Sequence, residues 1–255
     1  RHKKFSSLLY IALFLALNKY LAASIFWTMT DTHLHHEEHL ESSDLLTDIV
    51  IGMSDGLTVP FALAAGLSGA VDSTSVIVLA GVAEIAAGSI AMGLGGFLAG
   101  KTEQDHYASE LKREYWEVDH LPEKEEEEVR VFFEGLGLSP ALQQEATKEL
   151  IKDKDRWVDF MMKHELGLDK PDPKRAGRSA FNIGMSYIVG GLVPLSPYFF
   201  IDDSIKALEV SVVITLICLF IFGYFKSKLT GVNPLMGGLK VMMIGAAAAA
   251  TAFAI

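Results

Sequence analysis

Two carboxylates stand in stretches otherwise dominated by Gly, Ala, Leu and Ile. Asp55 lies in DIVIGMSDGLTVPFALAAGL and Glu84 in VAEIAAGSIAMGLGGFLAG, and neither run contains a lysine or arginine. An ionisable group inside an apolar span is costly, so each is read first as functional. Asp48 precedes Asp55 by seven residues and Met92 follows Glu84 by eight, spacings that put each pair on one helix face. Pro60 cannot donate a hydrogen bond to the carbonyl of Gly56, so a kink there leaves a carbonyl free near Asp55. Carboxylate, carbonyl and thioether together suit a divalent cation softer than Mg²⁺ or Ca²⁺, such as Fe²⁺, with Co²⁺, Mn²⁺ and Zn²⁺ also admitted. Blander readings stand beside these. Asp48, near a helix start, serves equally as a capping or solvated residue, and Met92 as packing.

A second set of ligand-type residues lies downstream. Glu103, His106, Glu110, Glu114 and Glu117 recur every three or four residues, making one acidic stripe on a helix with few cations at compensating positions. Glu125 and Glu128 in LPEKEEEE, with Met161, Met162 and Glu165 in FMMKHE, supply the rest of a Glu/Met cage. A solvated charged face is the alternative, above all for the KEEEE run. His33, His35, His36 and His39 in THLHHEEHLE form another metal-capable tract, or a flexible tail with incidental affinity. EQDH (103–106) and EVDH (117–120) match the Glu-x-x-His spacing of di-iron carboxylate proteins. That raises a rival function, a membrane-anchored ferroxidase or metal buffer. On one helix the two motifs stand about 20 Å apart and cannot share a metal pair.

The elements that must position these groups follow from composition. Half of the 255 residues are apolar, mean hydropathy is +0.30, and yet 21% are charged. The charge is segregated, with residues 101–175 holding 13 Lys+Arg against 20 Asp+Glu, a local net of −7. One cysteine, Cys218, excludes a disulfide scaffold, and an acidic balance without a basic stripe excludes nucleic acid as a partner. The fold class expected is all-α, a polytopic membrane protein with five transmembrane helices and a cytoplasmic three-helix metal-binding domain. The spans are 45–67, 74–98, 180–201, 207–224 and 235–255, each near the ~20 residues that a bilayer requires. Their Gly and Ala content implies close helix packing in lipid.

The domain divisions are 1–27, 28–100, 101–176 and 177–255. In the acidic domain, helices are expected over 101–120, from Pro122 to the GLGLSP turn, and over 140–166. Lys101, Lys112, Arg113, Lys174, Arg175, Arg178, Lys226 and Lys228 fall on one side of the spans, and Asp72, Asp202 and Asp203 on the other. The basic side is therefore assigned to the cytosol. Residues 1–27, RHKK followed by SLLYIALFLAL, read either as a surface-lying anchor or as an extension foreign to the rest of the chain.

The blocks DIVIGMSDGLTVPFALAAGLSGA (48–70) and EIAAGSIAMGLGGFLAGKTEQDHY (84–107) resemble the vacuolar iron transporter family, in its plant-type members. The resemblance runs from about residue 37 to the end and leaves 1–27 outside. It implies a homodimeric five-span exporter of cytosolic Fe²⁺ across the vacuolar membrane in exchange for protons, not an enzyme and without a resident cofactor. Mn²⁺ is within the family's range. It further implies domain ligands at Glu114, Glu117, Glu125, Glu128, Met161 and Glu165, with Glu103 and Glu110 in the matching block. Translocation residues fall on Asp55, Glu84 and Met92, with Asp48 at the cytosolic mouth.

Overall fold

The computed structural model describes residues 44–255. The segment 1–27 and the histidine tract 33–39 lie outside the described residues. Eight α-helices and one short 3₁₀ turn make up what is described, without a β-sheet. Helices α1 (Asp44–Ala70), α2 (Thr74–His120), α6 (Arg175–Leu195), α7 (Ser204–Leu229) and α8 (Pro234–Phe253) form an apolar bundle. Helices α3 (Pro122–Gly135), α4 (Pro140–Leu150) and α5 (Lys154–His164) gather around the distal part of α2 as the acidic domain.

Four of these helices, α1, α2, α7 and α8, are long and apolar enough to cross a membrane. The expected third span is not among them. Its helix begins at Arg175 and carries Arg178, Asn182 and Ser186 in its first half, which dilutes its hydropathy. It is nonetheless central. α6 is wedged between α1 and α2, burying Ser179, Ile183, Tyr187, Gly190 and Gly191 along one stripe. The helix also ends at Leu195, short of the expected Ile201. Pro197 cannot donate within an α-helix, and the chain passes into a 3₁₀ turn over Ser196–Phe199.

Glycines set how close the helices come. A Cβ on Gly52 would lie 2.3 Å from the carbonyl oxygen of Ile183, and one on Gly56 2.4 Å from that of Tyr187. On α2, a Cβ at Gly100 would lie 2.9 Å from the Cα of Ala176. Because the obstacles are backbone atoms, no rotamer change relieves them. Gly56→Ala is therefore expected to destabilise the bundle by about 1–3 kcal/mol through overpacking. Gly95→Ala on the same bundle meets nothing within 4 Å and should stabilise by up to about 1 kcal/mol from helix propensity. Thermal unfolding in detergent reads both, and the two substitutions should move the midpoint in opposite directions.

The two ends of the bundle differ in charge. At one, an isolated antiparallel bridge joins Ser73 to Asp203, and Asp203 caps α7 by accepting from the Lys206 amide at 3.0 Å. The other end carries Arg175 at the start of α6 and Lys226 and Lys228 at the end of α7. There the chain turns through Gly231, whose positive φ of 71° suits glycine, into Asn233-Pro234 and α8.

α2 runs for 47 residues without a break from the apolar bundle into the acidic domain. The predicted third domain helix, 140–166, is divided. α4 stops at Leu150, and Asp153 starts α5 by accepting from the amides of Asp155 and Arg156 at 3.0 and 3.2 Å. The cap satisfies α5's first amides, which the break deprives of the carbonyls that a continuous helix would offer. It also turns Trp157, Val158, Met161 and Met162 into the domain core with Val118 and Val129.

Candidate metal centre and intramembrane carboxylates

The acidic domain brings three of the expected ligands together. One carboxylate oxygen each from Glu114 on α2, Glu125 on α3 and Glu165 just past α5 lies within 4.8 Å of the others. Glu114 and Glu125 are each 1% exposed, and each has a buried oxygen without a hydrogen-bond partner among the described residues. Two apposed carboxylates with spare acceptor capacity in a dry site are held together by protons or by a cation. Burial first, then the charges of Glu125, Glu165 and Glu117, push the Glu114 carboxyl up to about 8. Burial, then Glu128 and Glu117, raise Glu125 to about 7 against the pull of Lys124. Glu165, at the solvent edge, moves the same way through its partial burial and Glu128.

Around this trio stand the other expected residues. Glu117 and Glu128 are close enough to act on all three electrostatically or on two of them. Glu128, Met161 and Glu165 line a cleft of about 280 Å³ with Phe132 and Phe160. Met161 thus lines the cleft beside Glu128 and Glu165 while belonging to the domain core. Met162, equally buried, is packed in the core beside Trp157 and Val158. The stripe is less bare of cations than its sequence suggests. Arg113 pairs with Glu110 at 2.8 Å and lies 3.6 Å from Glu117, and Lys124 pairs with Glu128 at 3.0 Å. Glu110 is therefore turned to Arg113, away from the trio. Glu103 is exposed and its charge acts on Arg175, at the base of the domain.

The Glu-x-x-His pairs assemble nothing. His106 lies 4.0 Å from Glu110, while His120 bonds the Trp116 carbonyl at 2.8 Å and stacks on that indole. Neither imidazole joins the trio, so the ferroxidase ligand set is not formed.

In the apolar bundle, Glu84 accepts a hydrogen bond from the Tyr187 hydroxyl, and its other carboxylate oxygen is buried without a hydrogen-bond partner among the described residues. Tyr187 comes from α6 and stands against both neighbours. A Cβ on Gly88 would meet its hydroxyl at 2.4 Å, and Gly56 faces its backbone. Asp55 is near enough to act on the same phenol electrostatically. The two carboxylates thus approach Tyr187 from opposite helices. Met92 is half-buried farther along α2, beyond Gly88. α1 does not break at Pro60; it continues to Ala70, with the Thr58 hydroxyl donating to the Ser54 carbonyl at 2.8 Å. Tyr187 was not singled out from sequence. The signal available was a lone phenol before the Val-Gly-Gly of an apolar run.

Asp48 is neither solvated nor a cap. It is 1% exposed and holds a bidentate pair with Arg175 at 2.9 and 3.0 Å. Ser179 donates to it at 2.8 Å and Asn182 at 3.1 Å. Arg175 also reaches Asp44 at 3.0 Å. Sequence patterning missed Arg175 because its partner lies 127 residues away. Arg175→Ala would strand a buried carboxylate and should cost about 3–5 kcal/mol. Adding Asp48→Asn should recover part of that loss, and chemical unfolding of the single and double variants measures it.

The VIT family profile matches residues 46–255. The chain is 51% identical over 220 residues to Vacuolar iron transporter 1 of Tulipa gesneriana, covering 86% of this chain and 89% of that protein. It is 52% identical to Vacuolar iron transporter 1 of Arabidopsis thaliana, covering 86% and 88%. Protein CCC1 of Saccharomyces cerevisiae is 38% identical, covering 82% and 67%.

Proposed function

Because the chain belongs to the VIT family, we propose that it carries Fe²⁺ out of the cytosol across the vacuolar membrane in exchange for protons. The observation that carries this reading is the Glu84–Tyr187–Asp55 arrangement. A carboxylate with a buried, unpartnered oxygen inside an apolar bundle has no structural reason to persist, yet it is the group a divalent cation and a proton would occupy in turn. In this reading α6 also crosses the membrane, as the third of five spans. Arg175, Ser179 and Asn182 on it are turned from lipid because they meet Asp48 across the α1 interface. The basic end of the bundle faces the cytosol, so the acidic domain is cytosolic as well.

The working unit is a homodimer, with Asp55, Glu84 and Met92 lining the route. Cytosolic metal is gathered at Glu114, Glu125, Glu165 and Met161, with Glu117 and Glu128 around them. Glu103, Glu110 and Met162 support that domain at its margins. Asp48, locked to Arg175 in this conformation, opens as a ligand only when that pair separates. On the acidic side, protonation of the intramembrane carboxylates releases the ion, and deprotonation toward the cytosol restores the site. Mn²⁺ meets the same donors.

The test is direct. Purified protein is placed in liposomes carrying an entrapped pH dye and a metal-sensitive dye, with an acidic interior and Fe²⁺ added anaerobically outside. Metal entry with interior alkalinisation is expected. Metal bound outside with no entry in either orientation leaves a buffer or sensor, and metal entry without proton movement removes the exchange.

A further inference from the structure

At the basic end of the bundle, α7 and α8 enclose a groove of about 400 Å³ between their ends. Two lysines stand over it, Lys226 on α7 and Lys240 on α8, with Ser227 and Asn233 at its polar end and Val241 and Ile244 along its apolar side. The geometry points to a binding site for one anionic phospholipid, its phosphate between Lys226 and Lys240 and an acyl chain along Val241 and Ile244.

Charge is the first argument. Neither lysine has an acidic partner among the described residues, whereas Lys206 at the opposite end is paired with Asp203 at 3.2 Å. Position is the second. Lys240 lies six residues into α8, whose first residue is Pro234, about 9 Å along the helix axis. Leu239, Met243 and Ile244 around it are exposed. A lysine on a lipid-facing surface has to direct its ammonium back toward the headgroups. Lys226 is three residues from the end of α7 at Leu229, about 4.5 Å along its axis, and both lysines line the one groove. The third argument is the groove's composition. Asn233 spends its side-chain oxygen on the Met236 amide at 3.2 Å, which leaves its NH₂ group free to donate to a phosphate oxygen. Apolar walls below cations at a helix hairpin match a diacyl phosphate and do not match a fully solvated anion.

This inference rests on the membrane reading above only for the leaflet involved; retention of lipid does not depend on transport. The experiment is native mass spectrometry of the full chain in mild detergent, with dioleoyl phosphatidic acid or dioleoyl phosphatidylcholine added in equal amounts. Preferential retention of phosphatidic acid is expected. Lys226→Gln and Lys240→Gln should each weaken it about fivefold and the double substitution about 25-fold, while Lys206→Gln leaves it unchanged. Ile244→Trp, which keeps both lysines and fills the groove, should also lower retention. Wild-type retention in the double variant overturns the site. Displacement of the lipid by equimolar inorganic phosphate, with Ile244→Trp without effect, overturns the lipid in favour of a simple anion site. A crosslink from a cysteine placed at Ile244 to a second copy of the chain overturns it in favour of a subunit contact.

Discussion

Glu84→Gln should abolish metal flux in the liposome assay, by about 100-fold or more, while leaving a folded protein. The side chains are the same size, and Gln keeps an oxygen to accept from Tyr187. Gln carries no ionisable group, so its burial at that position costs less than that of a carboxylate. The midpoint of thermal unfolding should therefore stay level or rise while transport is lost. A merely structural role predicts the reverse pairing, with activity falling only as stability falls. Asp55→Asn should lose flux alike, because Asp55 is near enough to act electrostatically on the same phenol from α1. Asp203→Asn, an exposed carboxylate at the far end, should leave flux intact. Retained flux in Glu84→Gln would remove Glu84 from the route and with it the central support for the transport reading.

Metal binding to the acidic domain should tighten steeply from pH 6 to pH 8. With Glu114 at about 8 and Glu125 at about 7, both groups are largely protonated at pH 6 in the metal-free protein. An arriving cation must displace those protons, so affinity falls by up to ~100-fold for each pH unit below about 7. The sign for stability runs the other way. Both groups lie above their unfolded value, so their contribution to the metal-free domain is complete below about pH 4.5. It is lost as pH rises through about 7 and then 8. Without metal, the domain should therefore melt at a lower temperature at pH 8 than at pH 5. Added Co²⁺ should restore it most at pH 8. Calorimetry of Co²⁺ binding to the full chain in buffers of differing ionisation enthalpy should report between one and two protons released per ion at pH 7. Affinity independent of pH, or no proton release, would mean that the Glu114–Glu125 pair is not the site.

Much of this was open to inspection in the chain itself, and the reasons differ by residue. The Gly/Ala-rich runs and the polar-acidic block specify spans and domain because burial in lipid and exposure to water demand different compositions. Glu114 was legible as a candidate ligand because acidic side chains at helical spacing need a compensating cation, and the structure brings it together with the candidates Glu125 and Glu165. Local pattern could not show how the compensation is shared. Arg113 takes Glu110, which no periodicity distinguishes from Glu114. The break between α4 and α5 was missed because LIKDKDR lacks proline and glycine, and its stop lies in two side chains, Asp153 accepting from the first amides of α5 and Arg156 donating to the last carbonyls of α4. The chain also concealed what lies between Asp55 and Glu84. Spans one and two seemed to face each other, whereas α6 stands between them and brings Tyr187. Part of its weak hydropathy reflects Arg175, Ser179 and Asn182, which bond Asp48 across more than a hundred residues.

The unbroken α2 makes the collecting cluster a mast-mounted object. Glu84 and Glu114 are thirty positions apart on one helix, about 45 Å of axial rise. No hand-to-hand transfer is feasible over that distance. In the proposed function the cluster acts as an antenna that enriches ions in the water beside the bundle. Its compass bearing is fixed by helical phase. One residue inserted between Gly100 and Glu114 would swing the antenna by about 100°, whereas seven would lift it by about 10 Å and return it nearly to its heading. The length of this helix is thus an angular setting as much as a distance.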